Sequence, residues 1–75
     1  MTRRNKPRAE LDAIGSRIRE LRGTMLQDEL AAYLEISQGQ LSKIERGKMG
    51  PTVETLVRLV QKFGKSADWI LTGNG

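Results

Sequence analysis

Gly23, Gly47, Gly64 and Gly73 cut this chain of 75 residues into stretches too short for anything but small helices. Gly23, Gly47 and Gly64 each follow a run whose apolar residues recur at three- and four-residue intervals, the repeat of a helix face. Glycine most readily takes the left-handed backbone that ends a helix. The spacing predicts five helices. The first covers about residues 11–22, with Leu11, Ile14, Ile18 and Leu21 on one stripe. Gly15 inside it costs about 1 kcal/mol relative to alanine, so the first turn is expected to fray. The second follows at once. Thr24 and Gln27 have the spacing of a capping box, Leu26, Leu30, Ala31 and Leu34 line one face, and Asp28 and Glu29 suit the positive end of the helix dipole. Glu35, Ile36 and Ser37 separate it from a third helix at 38–46, where only Leu41 and Ile44 are clearly apolar and Ser37 and Gln40 repeat the capping-box spacing. Thr52 caps a fourth, with Val53, Leu56, Val57, Val60 and Phe63 as its apolar face, and Ser66 caps a last one holding Trp69, Ile70 and Leu71. No strand-like alternation or internal repeat occurs. The expected fold class is all-α, a compact five-helix domain at residues 10–75.

Nothing covalent supports such a domain. The chain has neither Cys nor His, so it can form no disulfide and no Cys/His metal site. A domain of this size buries only about 60% of its unfolded surface, so helix packing or self-association must supply the stability. No cofactor is expected. An enzyme is not expected either, since no nucleophile–base arrangement is present and Asp28 and Glu29, adjacent on a helix, point apart. No run approaches the roughly 18 apolar residues that span a bilayer, and no apolar segment follows the basic N-terminus as a secretory signal would require. Absence of cysteine fits a reducing cytoplasm.

The net charge of +4 comes from 13 basic and 9 acidic residues, and its distribution is uneven. Arg3, Arg4, Lys6 and Arg8 precede every acid, and from Ala9 onward the charges balance. Residues 1–9, polar, basic and interrupted by Pro7, are expected to form a disordered arm. Such an arm suits nucleic acid or an anionic membrane surface, and serves equally as a solubilising end. No basic amphipathic helix accompanies it, which weighs against a membrane.

The segment 27–46 is the most informative. Two short helices joined by three residues cannot pack antiparallel along their lengths, so they must cross steeply, the geometry of a helix-turn-helix. In that motif the second helix enters the DNA major groove. The third helix presents Gln38, Gly39, Gln40, Ser42, Lys43 and Arg46 around a narrow apolar stripe. Glutamine can pair bidentately with adenine N6/N7, and lysine can donate to guanine O6/N7. Ser37, Gln40 and Ser42 can bond phosphate oxygens, Lys48 adds a cation just beyond, and the free N–H groups of the helix start favour an anion. Composition alone leaves a second reading open, an ordinary solvated surface helix.

Five stretches carry a resemblance: IGSRIRELR at 14–22, QDELAAYL at 27–34, ISQGQLSKIERGK at 36–48, PTVETLVRLVQKFG at 51–64 and SADWILTG at 66–73. Together they resemble the lambda repressor/Cro-type (XRE-like) helix-turn-helix family over about residues 14–73. The resemblance implies a bacterial or phage DNA-binding transcriptional regulator, most often a repressor, working in the cytoplasm as a homodimer on double-stranded DNA. By position, Gln27 is similar to the family's phosphate-anchoring glutamine, which can also touch the first recognition residue. Gln38, Gly39, Ser42 and Lys43 match base-facing positions. Gln40 and Arg46 match positions nearer the backbone, and Arg22 and Glu45 match an ion pair between the first and third helices. Trp69, Ile70 and Leu71 match a closing helix that packs on the core and often contributes to dimer contacts.

Three positions depart from the family pattern. Leu26 stands where a Thr or Ser cap is frequent, and Thr24 is expected to cap instead. Glu35 replaces a frequent glycine in the turn, and is strained if its φ is positive. Gly39 puts no side chain at a base-reading position, which shifts specificity toward Gln38 and Lys43. Domains of this kind also serve as antitoxins or antirepressors that bind a protein partner, and the sequence leaves that alternative open.

Overall fold

A computed structural model describes the backbone of residues 7–75 and the side chains from Ala9 onward. It holds five helices: α1 Pro7–Arg22, α2 Gln27–Leu34, α3 Gln38–Glu45, α4 Val53–Phe63 and α5 Ala67–Thr72. Among the described residues there is no strand. All five helices feed one core of Ile14, Ile18, Leu30, Ala31, Leu34, Leu41, Ile44, Leu59 and Ile70. Ile18, Leu30, Leu34, Leu41, Leu59 and Ile70 are fully buried. Each such side chain contributes about 1.5–3 kcal/mol over leaving it in water, which a chain without disulfide or metal must rely on.

α1 begins four residues earlier than the apolar stripe predicts, so residues 7–9 belong to a helix and not to a disordered arm. Proline needs no N–H partner in a first helical turn, and Glu10 there suits the positive dipole end. Arg3, Arg4, Lys6 and the side chain of Arg8 lie outside the described residues.

Gly15 is not a weak point but a contact. A Cβ built on it would collide with the carbonyl oxygen of Ile44 and stand 2.5 Å from that of Glu45. Only a bare backbone lets α1 approach the C-terminal end of α3 this closely. Gly47, with φ of 75°, sits likewise against Asp12 of α1.

The cap of α2 is Leu26, not Thr24. Leucine has no oxygen to offer, and the start is secured instead by Glu29, whose Oε1 accepts from the Leu26 N–H at 3.2 Å. Leu26 is therefore turned outward, 61% exposed, and does not share the core face with Leu30, Ala31 and Leu34. The helix ends on Glu35, which takes the left-handed conformation with φ of 60°. Its N–H and that of Ile36 donate to the carbonyls of Ala32 and Ala31.

The apolar face of α4 is rotated from the expected one. Thr55 and Leu59 point inward, Leu56, Val60 and Phe63 pack partly against the core, and Val53 and Val57 are 77% and 47% exposed. The apolar arc is wider than the core can cover, so spacing alone does not show which edge is inside. The Thr55 hydroxyl is satisfied by Thr52, whose Oγ1 also accepts from the Thr55 N–H. Ser66 caps α5 by accepting from the Trp69 N–H at 2.9 Å. Arg17 donates to the Ile70 carbonyl at 3.1 Å and ties the end of α5 to α1. Trp69 packs partly against the core, with the Lys65 ammonium 4.8 Å from its ring centroid.

Candidate nucleic-acid interface

α3 packs on α1 and α2. It does so through little of its surface: Leu41, Ile44 and Glu45 are buried. At 100° per residue these three occupy an arc of roughly 100°. Gln38, Gly39, Ser42, Lys43 and Arg46 fall within an arc of roughly 140° on the other side, all exposed except the half-buried Ser42. The structure thus brings the four base-facing candidates and Arg46 onto one stripe.

Ser37 and Gln40 lie beside that stripe and hold the helix start. The Gln40 N–H donates to Ser37 Oγ at 3.0 Å, and the Ser37 N–H donates to Gln40 Oε1 at 2.9 Å. This capping box occupies one oxygen of each side chain and leaves the Ser37 hydroxyl proton and the Gln40 Nε2 protons to donate elsewhere. The amides of Gln38 and Gly39, in the first turn, have no carbonyl partner within the helix. At the far end, Arg46 Nε donates to the Ser42 carbonyl at 3.3 Å, and the Lys48 N–H to the Lys43 carbonyl at 2.8 Å. The Lys43, Arg46 and Lys48 side chains are exposed.

Behind the stripe sits a buried charge. The Glu45 side chain is 1% exposed and Arg22 17%. Arg22 grips it twice, Nε to Oε2 at 2.7 Å and Nη2 to Oε1 at 3.0 Å. Its Nη1 donates to the Met25 carbonyl at 2.6 Å. The hydrogen bond to Glu45 outweighs partial burial and holds the Arg22 guanidinium above its ordinary pKa, so it stays charged. One further donor reaches the carboxylate: Gln27 Nε2, at 2.9 Å from Oε1. Gln38 Nε2 in turn lies 3.4 Å from Gln27 Oε1. The resemblance anticipates that Gln27 reaches the first residue of α3, but sequence reasoning missed its contact with Glu45. A signal for it exists, because Gln38 and Glu45 are seven residues apart and so share one edge of α3.

Comparison with known proteins agrees with this geometry. The helix-turn-helix family model matches residues 17–70. The plasmid copy control protein CopR of Streptococcus agalactiae is 36% identical over 59% of this chain and 48% of its own length. An uncharacterised HTH-type transcriptional regulator, y4dJ, of Sinorhizobium fredii is 43% identical over 68% of this chain and 65% of its own. The chain thus spans about half to two thirds of these curated relatives. Among solved structures, the P22 c2 repressor protein in complex with synthetic operator 9T superposes with a TM-score of 0.75 at 30% identity, over 81% of this chain and 96% of that one. With five helices, a two-helix motif around a three-residue turn and a family match over well more than half its length, the chain belongs to the helix-turn-helix family of the lambda repressor/Cro type.

Proposed function

We propose that this chain is a sequence-specific DNA-binding transcriptional regulator, a repressor, that lays α3 in the major groove of double-stranded DNA. Its basis is the stripe of exposed Gln38, Gly39, Lys43 and Arg46 with half-buried Ser42, on a helix docked by only three buried residues. Gln38 and Lys43 read base edges, Ser42 assists, and Gly39 admits close approach. Gln27, Ser37, Gln40, Arg46 and Lys48 hold the phosphate backbone. Gln27 gives one amide proton to Glu45 and keeps one for a phosphate. The basic arm of Arg3, Arg4, Lys6 and Arg8 adds non-specific attraction. The protein works in the bacterial cytoplasm, whether encoded by host or phage.

The functional unit is a homodimer on a palindromic site, with half-sites about 34–36 Å apart. One such domain makes too few contacts alone for useful affinity. The outward edge of α4 suits a second copy. Val53 and Val57 are exposed beside Leu56 and Val60, with Glu54 and Arg58 at the rim. An antiparallel pairing of two α4 helices centred near Leu56 sets Glu54 of each against Arg58 of the other, so the patch is complementary to itself.

Binding-site selection from a randomised duplex tests the reading. The wild type is expected to enrich a two-fold-related sequence. Lys43→Ala is expected to weaken that site by about 1–3 kcal/mol and to relax one base position. Enrichment of no sequence, or equal binding by Lys43→Ala, contradicts it.

A further inference from the structure

We propose that Arg58 and Lys62 of α4 clasp the end of α2 and so set how strictly the protein holds the spacing between its two half-sites. This rests on the dimer paired through α4.

Arg58 and Lys62 are four residues apart, so they stand one turn apart on the same face of α4. Arg58 Nη2 lies 3.3 Å from Glu35 Oε1. The Lys62 ammonium lies 4.6 Å from the centroid of the Tyr33 ring and 5.7 Å from that of Phe63. Tyr33 is in the last turn of α2, and Glu35 is the left-handed residue that closes it. Both cations therefore reach across to the point where α2 turns toward α3. Lys62 and Glu35 are exposed, and contacts of this kind add little to stability.

Their effect comes from where they sit. α3 packs on α1 and α2, and α4 packs on α2 and α5. α2 is thus the helix that the reading helix and the paired edge share, and the angle between α3 and the dimer axis is carried across the seam of α2 and α4. Leu30, Leu34 and Leu59 hold that seam from within the core. The two cations hold it at the surface, where a contact has the longer lever against tilting. Arg58 has donors to spare: one nitrogen holds Glu35, and other N–H groups remain for Glu54 of a second copy. One guanidinium then links the second copy's α4 to the turn ahead of α3.

One inserted base pair moves a half-site by about 3.4 Å and turns it by about 35°. A stiff pair of domains must deform the DNA to meet it, at a cost in affinity. A pair that hinges at the α2–α4 seam follows the DNA at less cost. Arg58 and Lys62 touch no base in this arrangement and are positioning residues.

The test uses the sequence enriched by selection, as a palindrome at its own spacing, as a palindrome with one base pair more, and as a single half-site. Wild type is compared with the double variant Glu35→Gln, Lys62→Gln. The variant loses one acid and one base, so its net charge is unchanged, and both positions are exposed, so folding is not at stake. Wild type is expected to prefer its own spacing by about tenfold or more. The variant is expected to narrow that ratio by about threefold to tenfold while binding the single half-site as wild type does. In the DNA-free variant, hydrogen exchange is expected to quicken at the Glu35 and Ile36 amides, which close α2. An unchanged spacing ratio, a loss of affinity equal on all three duplexes, or unchanged exchange at these amides overturns the clasp alone. A wild type indifferent to spacing, or bound to its site as a monomer, overturns the α4-paired dimer together with the clasp.

Discussion

Gly15 of α1 lies so close to Glu45 of α3 that a Cβ on the glycine would stand 2.5 Å from the Glu45 carbonyl oxygen. The obstacle is backbone, which cannot swing aside as a side chain could. Gly15→Ala would gain about 1 kcal/mol of helix preference and lose about 1–3 kcal/mol to overpacking. The expected result is a net loss of stability on chemical denaturation. DNA affinity should fall further than stability alone explains, because α3 is displaced with its seat.

Glu45→Ala removes the acceptor of Arg22 and leaves a partly buried guanidinium holding only the Met25 carbonyl. Breaking a buried pair from one side costs roughly 3–5 kcal/mol. Arg22 keeps some contact with water, so about 3 kcal/mol is expected, measured as a lowered denaturation midpoint. Replacing both partners, Arg22→Met with Glu45→Leu, should recover most of that loss.

Glu35 ends α2 with φ of 60°, a conformation that strains a side chain by about 1–2 kcal/mol and suits glycine. Its carboxylate meets Arg58 at 3.3 Å, but it is 71% exposed, and such surface pairs contribute only about 0–1 kcal/mol. Strain outweighs the pair. Glu35→Gly is therefore expected to raise stability by about 0.5–1 kcal/mol and shift the thermal midpoint upward. A lower midpoint would show that the ion pair wins.

Val57 is 47% exposed at the centre of the outward edge of α4. Val57→Glu is expected to leave the fold intact and to convert a dimer to a monomer in sedimentation experiments. Operator binding should weaken and lose its two-site cooperativity. A monomeric wild type at the concentrations where it binds its site would contradict the assignment.

Deleting residues 1–6 removes Arg3, Arg4 and Lys6 while leaving α1 whole. Affinity should drop for all sequences alike. The slope of log affinity against log salt should flatten by about 0.9 for each phosphate that the arm no longer neutralises.

Helix ends are legible in the sequence wherever the signal is local chemistry. Ser37 with Gln40, Thr52, Ser66, Gly64 and Gly73 all stand at the ends they mark, because a cap needs only its own neighbours. Thr24 misleads because Leu26 starts α2 with help from Glu29, two positions further along than the hydroxyl. Gly15 misleads for a different reason. Helix preference registers what glycine lacks, and a close approach by the distant residues Ile44 and Glu45 leaves no local trace. The face of α4 is ambiguous because Val53 and Val57 satisfy the helical period as well as Leu59 does. The exposed stripe of α3 is legible because so few of its residues are apolar. The contact of Gln27 with Glu45 joins α2 to α3 and depends on a three-dimensional crossing that spacing alone does not specify, whereas the reach of Gln27 to Gln38 is anticipated through the family resemblance.

The most direct test of the interface is a titration of isotope-labelled protein with a mixed-sequence duplex, followed through backbone amide shifts at low and moderate salt. Shifts are expected to cluster at Gln27 and across residues 37–46 and to diminish as salt rises. Unmoved α3 amides in a folded protein would contradict the assignment of α3 as the DNA-reading helix.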